Sequence, residues 1–155
     1  MTRPPLAAYL GGTMSAAIPA LTYSDVPRVL LVDDDEFIAV SLRHYLMARG
    51  CEVISATDRE TAGQHLAQES FDVVLVDPYM TGEAARNTDS ILLAVRNRQP
   101  RARLVIVSAY TSTQLIAAGE MHGAVAVLTK PQSVVFLSQL VMSTLKMQPK
   151  ETPSR

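Results

Sequence analysis

A chain of 155 residues is long enough for one domain with a real core and too short to hold two comfortably. With 48% hydrophobic and 19% charged residues it has the composition of an ordinary globular protein, which excludes a disordered or fibrous chain. A formal net charge of -1 shows no basic bias, so direct nucleic-acid binding is not expected, and no run approaches the ~20 apolar residues of a membrane-spanning helix.

The chain opens with "MTRPPLAAYLGGTMSAAIPALTYSDVP". One early arginine and a loosely apolar stretch raise a secretory signal, but Gly11, Gly12 and Pro19 interrupt the run. Residues 1–26 therefore read as a flexible leader, with Met14 as an alternative start. Cys51 is the only cysteine, which rules out an internal disulfide framework and suits a reducing, cytoplasmic setting.

From Pro27 onward, short β-branched runs alternate with longer segments of helical period. Strands are predicted at "RVLLVD" (28–33), "EVISA" (52–56), "DVVLVD" (72–77), "RLVIVS" (103–108) and "AVAVLT" (124–129). Helices are predicted at about 35–48, 58–69, 89–98, 112–120 and 133–147. Gly50 and Gly123 stand where helices should stop, and Asp58 is placed to cap the second helix. The polar tail 148–155 reads as disordered, leaving 27–147 as the folded body.

Such a (βα)5 string with nearly continuous apolar first, third and fourth strands implies a doubly wound parallel sheet, covered by helices on both faces. Ligands of such sheets bind beyond the carboxyl ends of the strands, so those ends belong together. They carry Asp33, Asp34 and Asp35, then Asp77, then Ser108, then Thr129 and Lys130. Clustered carboxylates repel one another unless a cation is near, and an oxygen-only set favours Mg2+ or Mn2+ over zinc. Asp77, already ionised at neutral pH, can attack phosphorus without a general base. Lys130 and the cation can offset charge on the moving phosphoryl group, and the Ser108 hydroxyl can donate to one of its oxygens.

Taken in order, "LLVDDDE", "VVLVD", "IVSAY" and "LTKP" resemble the response-regulator receiver domain of two-component signalling, over about Arg28 to Met147. The resemblance implies a five-stranded sheet of flavodoxin-like order 2-1-3-4-5. It makes Asp77 the phosphoacceptor, supplied by a sensor histidine kinase or a histidine phosphotransfer protein. It assigns Mg2+ to Asp34 directly, to Asp33 mainly through water, and to Asp77 and the Tyr79 backbone carbonyl. Ser108 becomes the switch hydroxyl and Lys130 the phosphate-pairing lysine, with a cis peptide to Pro131. Tyr79 and Tyr110 take positions that tune phosphate lifetime. Asp35 and Glu36 fall outside the acid pair and open the first helix, where their charge suits the N-terminal dipole.

The sequence departs from the family text in two places. After Asp77 it reads "DPYMTGEAARNTDS", with Thr81 for the usual proline, a longer "TG" loop through Gly82, and Asp89-Ser90 in the Asp-Gly place. Val127 stands where receivers commonly carry an aromatic residue that turns inward on activation, and valine has little rotameric range. In the last helix, Val134, Leu137, Val141 and Leu145 can face the sheet, while Val135, Phe136, Leu140 and Met142 add apolar surface that suits either burial or a docking face. The reading is a stand-alone phosphorylation switch rather than a turnover enzyme, acting on an unidentified protein target, with a homodimer through the last helix left open. The alternatives are a scaffold that binds partners without phosphorylation and a haloacid-dehalogenase-like phosphatase with Asp33 as nucleophile. His44, His65 and His122 lack metal-ligand spacing and read as surface or satisfied helix histidines.

Overall fold

The computed structural model describes residues 26–80 and 88–146. Thr81 and Gly82 of the variant loop, the leader up to residue 25 and the tail from residue 147 lie outside the described residues. The chain runs β1 (Arg28–Val32), α1 (Glu36–Ala48), β2 (Glu52–Ala56), α2 (Arg59–Gln68), β3 (Val73–Val76), α3 (Thr88–Arg98), β4 (Arg103–Ser108), α4 (Thr113–Met121), β5 (Ala126–Thr129) and α5 (Val134–Leu145). All strand pairs are parallel and the order is β2-β1-β3-β4-β5, the predicted doubly wound arrangement.

The apolar runs are explained by two cores, one on each face of the sheet. Leu30, Val32, Val74, Val76, Leu104 and Ile106 point to the side covered by α2, α3 and α4, through Leu66, Leu92, Val95 and Leu115. Val29, Leu31, Val73, Leu75, Val105 and Val107 point to the side covered by α1 and α5, through Leu42, Leu46, Leu137 and Val141. A strand buried on both faces has no polar alternation, as these show.

Local chemistry sets the boundaries. Asp35 caps α1 by accepting from Phe37 and Ile38 N–H, and Asp58 caps α2 by accepting from Thr61 N–H. Ser112 and Ser133 cap α4 and α5 in the same way. Gly50 and Gly123 take positive φ, +88° and +71°, where the chain leaves α1 and α4. β5 is shorter than predicted and starts at Ala126, because the Ala124 N–H turns back to the Gly119 carbonyl of α4.

Two packing details were hidden in the sequence. Gly119 lets α4 lie directly on β5: a Cβ there would sit 2.7 Å from Val127 Cγ2 and 3.2 Å from Ile106 Cδ1. In α5, Leu140 and Met142 pack against the core, whereas Val135 and Phe136 each remain 42% exposed. Ser138 and Thr144 are buried instead, their hydroxyls satisfied by the Val135 and Val141 carbonyls. Small, self-satisfied polar side chains can take buried helix positions that a hydrophobicity stripe assigns elsewhere.

Candidate functional site

Strands β1, β3 and β4 end in one recurring device. The Asp33 carboxylate accepts the Asp35 N–H at 3.0 Å, Asp77 accepts the Tyr79 N–H at 2.9 Å, and Ser108 Oγ accepts the Tyr110 N–H at 3.0 Å. A side chain that bonds the backbone two residues on turns the chain off the sheet. This is why β1 and β3 stop one residue before the predicted Asp33 and Asp77. The same turns hold the side-chain oxygens of Asp33, Asp77 and Ser108 at the carboxyl ends of neighbouring strands.

Lys130, the residue after β5, joins them. Its N–H donates to the Ser108 carbonyl at 2.8 Å, extending the β4–β5 ladder, and its peptide bond to Pro131 is cis. The ammonium lies 2.7 Å from Asp33 Oδ2 and 2.8 Å from Asp77 Oδ2, so one cation bridges two carboxylates that are 3% and 4% exposed. Burial alone would lower the Lys130 ammonium, but its hydrogen bonds with Asp33 and Asp77 outweigh that and raise it. At Asp33 burial dominates: loss of water pushes the carboxyl up, and Lys130 and the Asp35 N–H offset this only in part.

Half-buried Asp34 completes a group in which oxygens of Asp33, Asp34 and Asp77 lie within 4.8 Å of one another. Three carboxylates against one ammonium leave a formal charge of -2, and the donors are all oxygen. That set fits a hard divalent cation such as Mg2+ or Mn2+. The rim is aromatic: Tyr79 and Tyr110 meet edge to face, ring centroids 6.1 Å apart at 82°, and Tyr110 is 72% exposed. Beside them the Thr111 and Thr129 hydroxyls pair at 2.6 Å, tying the β4–α4 connection to the residue before Lys130.

Asp35 and Glu36 stand apart from this group, as the cap and first residue of α1. The histidines are also elsewhere: His44 is exposed, His65 Nδ1 pairs with Glu69 at 2.7 Å, and buried His122 closes α4. Sequence reading missed Arg59. From the first position of α2 its guanidinium reaches the Pro78 carbonyl and Ser90 Oγ, on either side of residues 81–87. The signal was available, since a cation in the first turn opposes the helix dipole and calls for another employment.

A doubly wound parallel sheet of order β2-β1-β3-β4-β5, with an acid cluster, a hydroxyl and a lysine at successive strand ends, defines a flavodoxin-like α/β domain. The sequence model of the response regulator receiver domain matches residues 29–142, and the chain belongs to that family of signalling switches. Among curated proteins it is 30% identical over 114 residues to the response regulator protein FleR of Pseudomonas aeruginosa, covering 74% of this chain and 24% of FleR. It is 33% identical over 106 residues to the alginate biosynthesis transcriptional regulatory protein AlgB of the same species, covering 68% of this chain and 23% of AlgB. The chain thus spans about a quarter of the length of these relatives.

Among solved structures, a CheY-like receiver domain protein from Methanospirillum hungatei superposes with a TM-score of 0.70 at 24% identity, covering 77% of this chain and 94% of its own. The Francisella response regulator 1452 receiver domain gives 0.65 at 28% identity, covering 77% and 97%. Among the described residues no helix is long and apolar enough to cross a membrane.

Proposed function

We propose that residues 27–147 act as a phosphorylation-dependent switch in which Asp77 takes a phosphoryl group from the phosphohistidine of a sensor kinase or phosphotransfer protein. The observation that carries this reading is the setting of Asp77: buried, one oxygen held by the Tyr79 N–H, the other by Lys130, with Asp33 and Asp34 alongside. An Asp77 oxygen forms the new bond to phosphorus as the bond from phosphorus to the histidine nitrogen breaks, the electron pair leaving with the imidazole. Asp33, Asp34, Asp77 and the Tyr79 carbonyl would hold Mg2+ or Mn2+, which when bound offsets charge on the phosphoryl oxygens.

Lys130 is already placed to follow the added charge, being within ion-pair distance of both buried carboxylates. Ser108 Oγ lies 3.4 Å from the Tyr110 carbonyl and accepts the Tyr110 N–H, so turning it toward a phosphoryl oxygen loosens the start of the β4–α4 connection. The Thr111–Thr129 pair lies on that path. With Val127 packed under α4 at Gly119, no aromatic side chain turns inward there, and the change reaches a partner protein through the β4–α4 backbone. The Tyr79 and Tyr110 rings at the rim hinder the attacking water and lengthen the life of the acyl phosphate.

The test is incubation with acetyl phosphate, with and without Mg2+, followed by intact mass. Wild type should gain one phosphoryl group only with the cation, and Asp77→Asn should gain none. Phosphoryl uptake that survives Asp77→Asn and vanishes in Asp33→Asn would move the nucleophile to Asp33 and overturn the reading.

A further inference from the structure

Arg59 grips the β3–α3 connection from outside the acid cluster. Its Nη1 donates to Ser90 Oγ at 2.6 Å and its Nη2 to the Pro78 carbonyl at 3.2 Å. The Pro78 carbonyl and the Tyr79 N–H are opposite ends of one planar peptide unit. That N–H donates to Asp77 Oδ1 at 2.9 Å. A guanidinium, a peptide plane and the Asp77 carboxylate therefore form one hydrogen-bonded line.

We infer that Arg59 is a positioning residue for Asp77, acting through the Pro78–Tyr79 peptide; the inference rests on the reading of Asp77 as phosphoacceptor. Two physical effects follow from the line. The torsions that tilt this peptide are ψ of buried Pro78 and φ of Tyr79, and because the unit is planar, tilting moves the carbonyl and the N–H together. A charged donor on the carbonyl resists that tilt and so holds the direction from which the N–H meets Asp77 Oδ1. It also polarises the amide, which strengthens the N–H as a donor, as bonds in a chain reinforce one another.

A simpler role would be to tie α2 to α3 through Ser90, and the two roles separate by substitution. In the full chain without Mg2+, Arg59→Met moves the Tyr79 amide proton upfield and speeds its exchange on the order of tenfold. With acetyl phosphate and saturating Mg2+, the same variant forms acyl phosphate on the order of tenfold more slowly. Arg59→Lys, which keeps charge without the planar fork, recovers part of both changes. Ser90→Ala leaves both near wild type.

An unchanged Tyr79 amide and an unchanged rate in Arg59→Met would overturn the inference. So would a Ser90→Ala variant that reproduces its losses. Should Arg59→Met not fold, Arg59→Lys carries the same test, with an intermediate change expected and none contradicting it. Should wild type take no phosphoryl group, the phosphoacceptor reading falls, and the Tyr79 amide in Mg2+-free protein still decides whether Arg59 acts on Asp77.

Discussion

The two ends of the sheet treat buried polar groups in opposite ways. At the amino end, the Gln99 side chain donates to the Leu66 and Glu69 carbonyls and accepts the Phe71 N–H, closing the ends of α2, α3 and β3 on one amide. Nearby, the Arg96 guanidinium donates to the His122, Pro100 and Ala102 carbonyls, binding the end of α3 to the end of α4. Burial pulls the Arg96 guanidinium down from its ordinary value, yet its partners are backbone oxygens with no freedom to leave. At the carboxyl end, Asp33 and Asp77 share one ammonium, and Asp33 is pushed up by burial. One end is satisfied and holds the fold together; the other is left short of positive charge, a shortage that a divalent cation can answer.

Substitutions at the two ends should therefore separate function from stability. The largest effect is expected at Asp77: Asp77→Asn should lose phosphoryl uptake entirely while keeping its far-ultraviolet dichroism and its urea midpoint close to wild type. Lys130→Met comes next, because it leaves two buried carboxylates without their cation. It should cost about 3 kcal/mol in Mg2+-free urea denaturation, and Asp33→Asn in the same chain should recover part of that. At the other end, Gln99→Ala strands an N–H and two carbonyls and should cost about 2 kcal/mol, with acetyl-phosphate reactivity per folded molecule unchanged. A Gln99 variant that lost reactivity beyond its loss of folded protein would break the division between the two ends.

The smallest effect is on pH dependence, where the ends should differ in sign. Folded Asp33 keeps its proton to higher pH than the unfolded chain does, so stability falls as pH rises from the ordinary Asp value to the raised one. Asp33→Asn should remove that slope in Mg2+-free protein. Glu69 behaves in reverse, its carboxyl held below the ordinary value by hydrogen bonds from Arg28 and His65. Its contribution is complete above the ordinary Glu value and is lost as pH falls through the lowered one. Thermal melts across pH, with Glu69→Gln as the counterpart, test both slopes.

The features legible in the sequence share a physical property: each is local. Apolar runs wrote β1, β3 and β4, Asp58 and Gly50 wrote helix ends, and the acids, Ser108 and Lys130 followed their strands directly. The long-range partners of Arg59, Arg96 and Gln99 were not legible, because the Pro78, His122 and Leu66 carbonyls come near them only when the chain folds. Gly119 was silent for the same reason, its value lying in a contact with Val127. In α5 the apolar stripe found Leu137 and Val141 but not Ser138 and Thr144, since polarity conceals a side chain that satisfies itself on its own helix.

The most direct measurement is the position of the label. Wild type treated with acetyl phosphate and Mg2+, then reduced with borohydride, should yield homoserine in place of Asp77 on peptide sequencing, with Asp33 and Asp34 intact. Homoserine at position 33, or reduction at neither position in protein shown to be folded, would contradict the assignment of Asp77 as the phosphoacceptor.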